Sequence, residues 1–260
     1  MVNALGVSTA RHRAPVPWVP PIEAQRRFWD WHWQHWRERQ AISPWALKAG
    51  ERVVSLLESL ALDRPQILDL GCGIGWFSHE FSRFGEVTGI DLSDHAIAQA
   101  KARYPGITFV TGNVLTEPLP AAHFDVVVSQ EILAHVEDQA KYLQVAANAL
   151  RPGGYLIVTT ANKFVLDRFG DAAGDPWPPE HIETYHDMKS LKRLLAPCFR
   201  VLRTTTVLPL GNGGVLFWLN SGKLNRALSV LIPARWLEAV KEKAGLGYCM
   251  IVVAQKRSAS

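Results

Sequence analysis

The feature that most constrains the fold is an apolar run, Ile67-Leu68-Asp69-Leu70, that stops at Gly71 and is followed by Gly73 and Gly75. Glycines at alternating positions after a strand let the backbone turn tightly and approach a ligand with no Cβ in the way. The helix that follows points its free N–H groups and positive end at the same place, which suits an anionic group. An isolated glycine triplet is equally at home in a plain tight turn, so its context decides. Here it sits at a strand-to-helix junction, and Asp91 closes the next apolar stretch. A carboxylate there can accept both hydroxyl hydrogens of a ribose; its simpler role is a turn former before Ser93. The dinucleotide pattern G-x-G-x-x-G fails because position 76 is Trp. A bulky side chain crowds the approach of a pyrophosphate, so the pattern points to an adenosine cofactor without one.

Around this junction the chain alternates between two periodicities. Strands are predicted over 66–70, 86–91, 107–111, 124–129 and 155–160, with helices over 93–104 and 138–150 between them. Ser93 can cap the first of these helices, and Pro152-Gly153-Gly154 breaks the chain after the second. This βαβ rhythm implies a parallel sheet with right-handed crossovers. Two helices, 22–40 and 44–62, precede the first strand. A helix over 188–195 and strands over 199–208 and 248–255 follow the last crossover. The expected architecture is α/β: a Rossmann-like, seven-stranded, mostly parallel sheet with helices on both faces. It forms one domain over 1–260, with an N-terminal helical cap (20–62), a lid (161–186) and an insertion before the final strand (209–247). Helical stretches are expected within the insertion at 223–231 and 235–243.

Composition narrows the functional classes. Of 260 residues 48% are hydrophobic and 20% charged, an ordinary globular balance, and 28 Lys and Arg against 24 Asp and Glu leave a formal charge of only +4. That bias suits an anionic cofactor or a membrane surface and does not by itself call for nucleic acid. Cys72, Cys198 and Cys249 lie far apart with no CxxC pair, so a reducing compartment is the simpler expectation. No apolar run approaches the roughly 20 residues needed to span a bilayer. A cytoplasmic protein is expected, with peripheral membrane contact as an alternative. His32 and His35 have ligand-like spacing but no acidic or thiolate third ligand beside them, so no metal is expected.

Four segments in order carry a family resemblance. Asp69-Leu70-Gly71-Cys72-Gly73-Ile74-Gly75 with Asp91 resembles the first two motifs of class I S-adenosylmethionine-dependent methyltransferases. Phe124 to Asp138 resembles their fourth-strand motif, and Arg151-Pro152-Gly153-Gly154-Tyr155-Leu156 the turn that follows. The pattern is most similar to the broad group of ubiquinone-biosynthesis and small-molecule methyltransferases, over roughly residues 45–160. The resemblance implies S-adenosyl-L-methionine as cofactor. Asp69, Gly71, Cys72, Gly73, Gly75 and Trp76 would surround its methionine part, Asp91 would hold the ribose, and Leu92 would pack on the adenine. Asn113 and Val114 would meet the adenine edge, and Gln130 and Glu131 would lie beside the methionine portion. The chain departs from many relatives at Asn113, where they carry Asp, and at Ala134, where they carry Glu.

Methyl transfer needs a nucleophile in line behind a sulfonium methyl, and a weakly acidic hydroxyl also needs a base. Histidine suits that role at neutral pH. His135 follows the fourth strand at the ligand end of the sheet; bracing a loop is its alternative. His181 and Tyr185 match a His-x-x-x-Tyr/Phe segment of related small-molecule enzymes, and His181 is the preferred acceptor-side contact. The expected reaction is O-methylation of a small or amphipathic molecule. Alternatives are N- or C-methylation and a non-catalytic protein that binds the cofactor. The chain lacks an Asn/Asp-Pro-Pro-aromatic motif after the fourth strand, which argues against a nucleic-acid substrate. Trp29, Trp33 and Trp36 share a helical face that most cheaply packs on the sheet, although an indole near a sulfonium is also physically sensible. The insertion is expected to be an apolar cover over the acceptor entrance, or else a satellite core or a homodimer contact.

Overall fold

β1 (Gln66–Leu70) owes its place inside the sheet to being apolar on both faces, with Ile67, Leu68 and Leu70 fully buried. In the computed structural model, which describes residues 19–36, 44–168, 178, 180–209, 216, 221, 226 and 233–257, it pairs with a strand on each side. These are β2 (Glu86–Asp91) and β4 (Phe124–Gln130), both parallel to it. β3 (Thr108–Thr111) extends the parallel sheet beyond β2, and β5 (Leu150–Ala161) extends it beyond β4. The last two strands, β6 (Phe199–Val207) and β7 (Cys249–Lys256), close the order β3-β2-β1-β4-β5-β7-β6. β7 lies antiparallel between β5 and β6. The seven-stranded, mostly parallel sheet expected from the sequence is thus present. β5 begins earlier than the Pro-Gly-Gly break implies: Leu150 already pairs with Phe124, and a register shift absorbs the glycines before Tyr155 meets Val126.

Side chains alternate between two cores, one on each face. Leu68, Leu70, Val127, Leu156 and Val158 enter the first, beneath α5 (Gln139–Ala149) and α7 (Met188–Leu195). Ile67, Val126, Val128, Ile157 and Ile251 enter the second with Val53, Leu56 and Leu57 of α2 (Pro44–Glu58). Each such aliphatic side chain gains about 1.5–3 kcal/mol on full burial, which is what fixes helices to both faces. α3 (Trp76–Phe81) and α4 (Asp94–Arg103) complete the crossovers, and a short α6 (Lys163–Leu166) follows β5. Polar N-caps set the starts: Ser93 accepts from the Ala96 amide, Asp138 from Lys141, and Asp187 shares a reciprocal capping box with Ser190.

α1 (Ile22–Trp36) packs across α4, burying Phe28 and Gln25. α8 (Ala234–Lys243) lies beside α2, where Glu242 meets Arg52 at 3.0 Å and Lys48 at 3.9 Å. Most of the expected helix at 223–231, residues 169–177 of the expected lid, the Trp36 side chain and most apolar residues of the insertion fall outside the described residues.

Candidate active site

The glycine loop follows β1 with Gly71, Gly73 and Gly75 all at positive φ (75°, 52° and 75°), a backbone region that other residues enter only at a cost. The Gly71 and Cys72 amides both donate to the Ile90 carbonyl of β2 (2.7 and 3.0 Å), so the loop is drawn across the end of the sheet. There Asp91 takes hold of it. One carboxylate oxygen accepts from the Gly73 amide at 2.8 Å, and the other accepts from the Ser93 amide at 2.9 Å. Burial raises the Asp91 pKa while these two amides oppose the shift. Asp69, one strand away, is buried and receives the Ser78 hydroxyl at 2.6 Å, bracing α3 against β1; burial above all pushes its pKa to about 7.

The neighbouring turns complete this half. The Gly112 amide donates to the Asp91 carbonyl (2.9 Å), and the Asn113 side-chain oxygen accepts from the Leu115 amide (2.9 Å), which shapes the turn where Val114 packs on the core. Leu92 gives its carbonyl to Arg26 of α1. Trp76 heads α3 and is turned toward the end of α4, with the Arg103 guanidinium 5.5 Å from its ring. Cys72 is enclosed, and burial pushes its thiol well above the ordinary range, so it is no reactive thiolate.

The second half lies at the end of β4. Gln130 pairs with Thr159, and Glu131 leaves the strand at φ 56° with its amide directed at Thr159. The Glu131 carboxylate accepts from the Thr159 hydroxyl (2.7 Å) and the Cys249 thiol (3.2 Å), and burial raises its pKa. His135 ends the 3₁₀ turn Leu133–His135 and contacts His181, with ring centroids 4.6 Å apart. Its Nδ1 lies 2.8 Å from the Ile182 carbonyl. A carbonyl can only accept, so Nδ1 carries the proton and Nε2 keeps its lone pair. Burial lowers the His135 pKa to about 4. Burial, then the neighbouring His135 and His32, lowers that of His181 to about 2. Both imidazoles are therefore neutral at physiological pH. Tyr185 donates its hydroxyl to Glu183 at 2.9 Å, and burial holds its phenol well above the usual range, so it remains protonated.

What brings His181 to His135 is a set of bonds that no local sequence signal announces. The Thr184 amide donates to the Ala134 carbonyl (2.8 Å). Gln139 donates to the carbonyls of Leu133 (2.8 Å) and Thr184 (3.0 Å), leaving its oxygen to accept from His186 Nε2 at 2.6 Å. Residues 184–186 are thereby stapled to the turn after β4. Trp29 of α1 sets its ring edge-on to both histidines, at 5.3 and 5.5 Å. Among the described residues, no group of three or more His, Cys, Asp or Glu is placed to hold a metal ion.

A mostly parallel sheet in this order, with a glycine loop and an acid at the ends of β1 and β2, is a fold shared with solved structures of S-adenosylmethionine-dependent methyltransferases. Residues 68–158 match a family described as "Methyltransferase domain". A probable S-adenosylmethionine-dependent methyltransferase of Mycolicibacterium smegmatis is 33% identical over 112 residues, 43% of this chain and 44% of that protein. A ubiquinone biosynthesis O-methyltransferase of Cereibacter sphaeroides is 40% identical over 120 residues, 44% of this chain and 49% of the relative. The chain thus spans about half the length of the curated relatives it matches. Among solved structures, the [4+2]-cyclase SpnF aligns with a TM-score of 0.63 at 20% identity, covering 95% of this chain and all of that one. The N-methyltransferase NodS from Bradyrhizobium japonicum, solved with S-adenosyl-L-homocysteine, aligns with a TM-score of 0.60 at 15% identity, covering 90% of this chain and all of that one.

Proposed function

We propose that this chain binds S-adenosyl-L-methionine and transfers its methyl group to a hydroxyl or carboxyl of a small or amphipathic molecule. The observation that carries the reading is Asp91, a buried carboxylate at the end of β2 that gathers the Gly73 and Ser93 amides around itself. The donor set suits the cofactor. Glycines open the backbone to it, Asp91 offers acceptors to a ribose, and Asn113 and Val114, in the turn after β3, would meet the adenine edge. When bound, the cofactor supplies an electrophilic methyl on a positively charged sulfur. The chain's own groups do the rest: the neutral His135 Nε2 takes a proton from an acceptor hydroxyl, and His181, Tyr185 and Trp29, whose rings surround that of His135, would shield the acceptor from water. A protein of this fold that binds the cofactor without transferring its methyl group is the alternative.

The test is transfer of labelled methyl to panels of phenols, carboxylic acids and amines. Product from the first two panels is expected; transfer to amines alone would remove the O-methylation reading. The base form of a histidine exists above its pKa, and the pKa of His135 is lowered to about 4. The rate should therefore stay level as pH falls from 8 to about 5, and a rate that halves near pH 6.5 would show that the base titrates as an ordinary imidazole, not as the buried His135 does.

An amphipathic acceptor is supported by the surface of α8, where Trp236 and Val240, one turn apart, are each 60% exposed. Lys243 is exposed on the same helix. Among the described residues no helix is long and apolar enough to cross a membrane. Flotation with anionic vesicles is expected to carry the protein upward, and Trp236→Ala should reduce the floated fraction severalfold. Equal flotation of the two proteins would show that α8 plays no part.

A further inference from the structure

α1 meets both halves of the site along one side. Arg26 donates to the Leu92 carbonyl and pairs with Asp94, both at 3.1 Å. Asp30 accepts from the Ser93 hydroxyl at 2.6 Å and from the His95 amide at 3.1 Å. These bonds fasten the helix to the very turn that follows Asp91. Trp29 and Trp33, four residues apart, then fall on one face. Trp29 reaches the two histidines, and Trp33 reaches the glycine loop. Its indole carbons Cζ2 and Cη2 lie 2.5 and 2.7 Å from where a Cβ would stand on Gly73. The sequence pattern assigned this face most cheaply to core packing on the sheet. Instead both indoles are half-buried and span the gap between the cofactor loop and the acceptor histidines.

We infer that Trp33 is the aromatic contact for the positively charged sulfur of the cofactor, an inference that rests on the cofactor reading above. An indole face attracts a cation and, unlike a carboxylate, does not compete as a nucleophile for the methyl. The attraction ends when the methyl leaves, because S-adenosylhomocysteine carries a neutral thioether. Trp33 therefore favours the reactant over the product, and the same residue that helps retain the methyl donor releases the spent one. Asp30 and Arg26 act through it, as positioning residues that keep α1 across the loop.

The test is calorimetry of the full chain with S-adenosylmethionine and, separately, S-adenosylhomocysteine. Trp33→Leu, which keeps apolar volume but loses the ring, should weaken S-adenosylmethionine binding by roughly tenfold and S-adenosylhomocysteine by no more than about twofold. Trp33→Phe, the gentler replacement in case the first fails to fold, should fall between it and the wild type in the ratio of the two affinities. Equal losses for both ligands in either folded variant, or no loss at all, overturn the role of Trp33 while leaving the cofactor reading intact. Wild-type protein that binds neither ligand overturns both.

Discussion

Asp91→Ala is expected to weaken S-adenosylmethionine binding by about a hundredfold or more. The carboxylate is only 6% exposed and already bonded to two backbone amides. A hydrogen bond to a charged group contributes about 1.5–3 kcal/mol, and a ribose would engage two of them, which converts to at least two orders of magnitude in affinity. The mutation also leaves the Gly73 and Ser93 amides without an acceptor, so part of the loss would come from a loosened glycine loop. Asp91→Asn should be nearly as damaging. An amide keeps the shape, but its NH₂ group must face one of the two N–H donors that the carboxylate now satisfies. Calorimetry with S-adenosylhomocysteine, alongside thermal melts, measures both effects. Unchanged affinity in folded Asp91→Ala would remove Asp91 from the cofactor site.

Gly71→Val should cost about 2–6 kcal/mol of stability and abolish cofactor binding. A side chain at φ 75° is strained whatever the space, and a β-branched one most of all. The space is also taken: a Cβ there would stand 2.0 Å from two carbons of Ile132. Backbone strain of about 1–3 kcal/mol and overpacking of about 1–3 kcal/mol add to the stated range. Gly106→Ala is the control, since a Cβ at that position meets nothing within 4 Å, and its effect should stay within about 0.5 kcal/mol. Urea unfolding of the three proteins distinguishes them. A Gly71→Val variant as stable as the control would mean the loop relaxes freely.

The elements of the proposed cofactor site were legible because they are local. A strand, three glycines and an acid at the end of the next strand are all consequences of short stretches of chain, and they occupy the positions their spacing implied. The parallel character of the sheet was legible for the same reason, since apolar runs separated by capped helices imply crossovers; the strand order was not. The acceptor half was legible only as candidates. His135 and His181 are separated by forty-five intervening residues, and what joins them is Gln139, whose amide spends its bonds on Leu133, Thr184 and His186. A glutamine near the start of a helix carries no signal of that task. Asp30 is hidden in the same way: its partners, Ser93 and His95, belong to another helix, and it sits among tryptophans whose spacing describes a face but not what that face covers.

The placement of β7 has a consequence for how the protein is made. β6 pairs in the sheet with β7, and β7 alone joins it to β5. A nascent chain that has emerged only as far as residue 248 holds a five-stranded sheet with the β5 edge open and β6 without its neighbour, the kind of exposed strand that invites wrong pairing. The same late segment delivers Cys249, which donates to Glu131 just beyond the end of β4. Synthesis therefore makes the parallel part of the sheet, with the glycine loop and Asp91 at its strand ends, before the strand that closes the order.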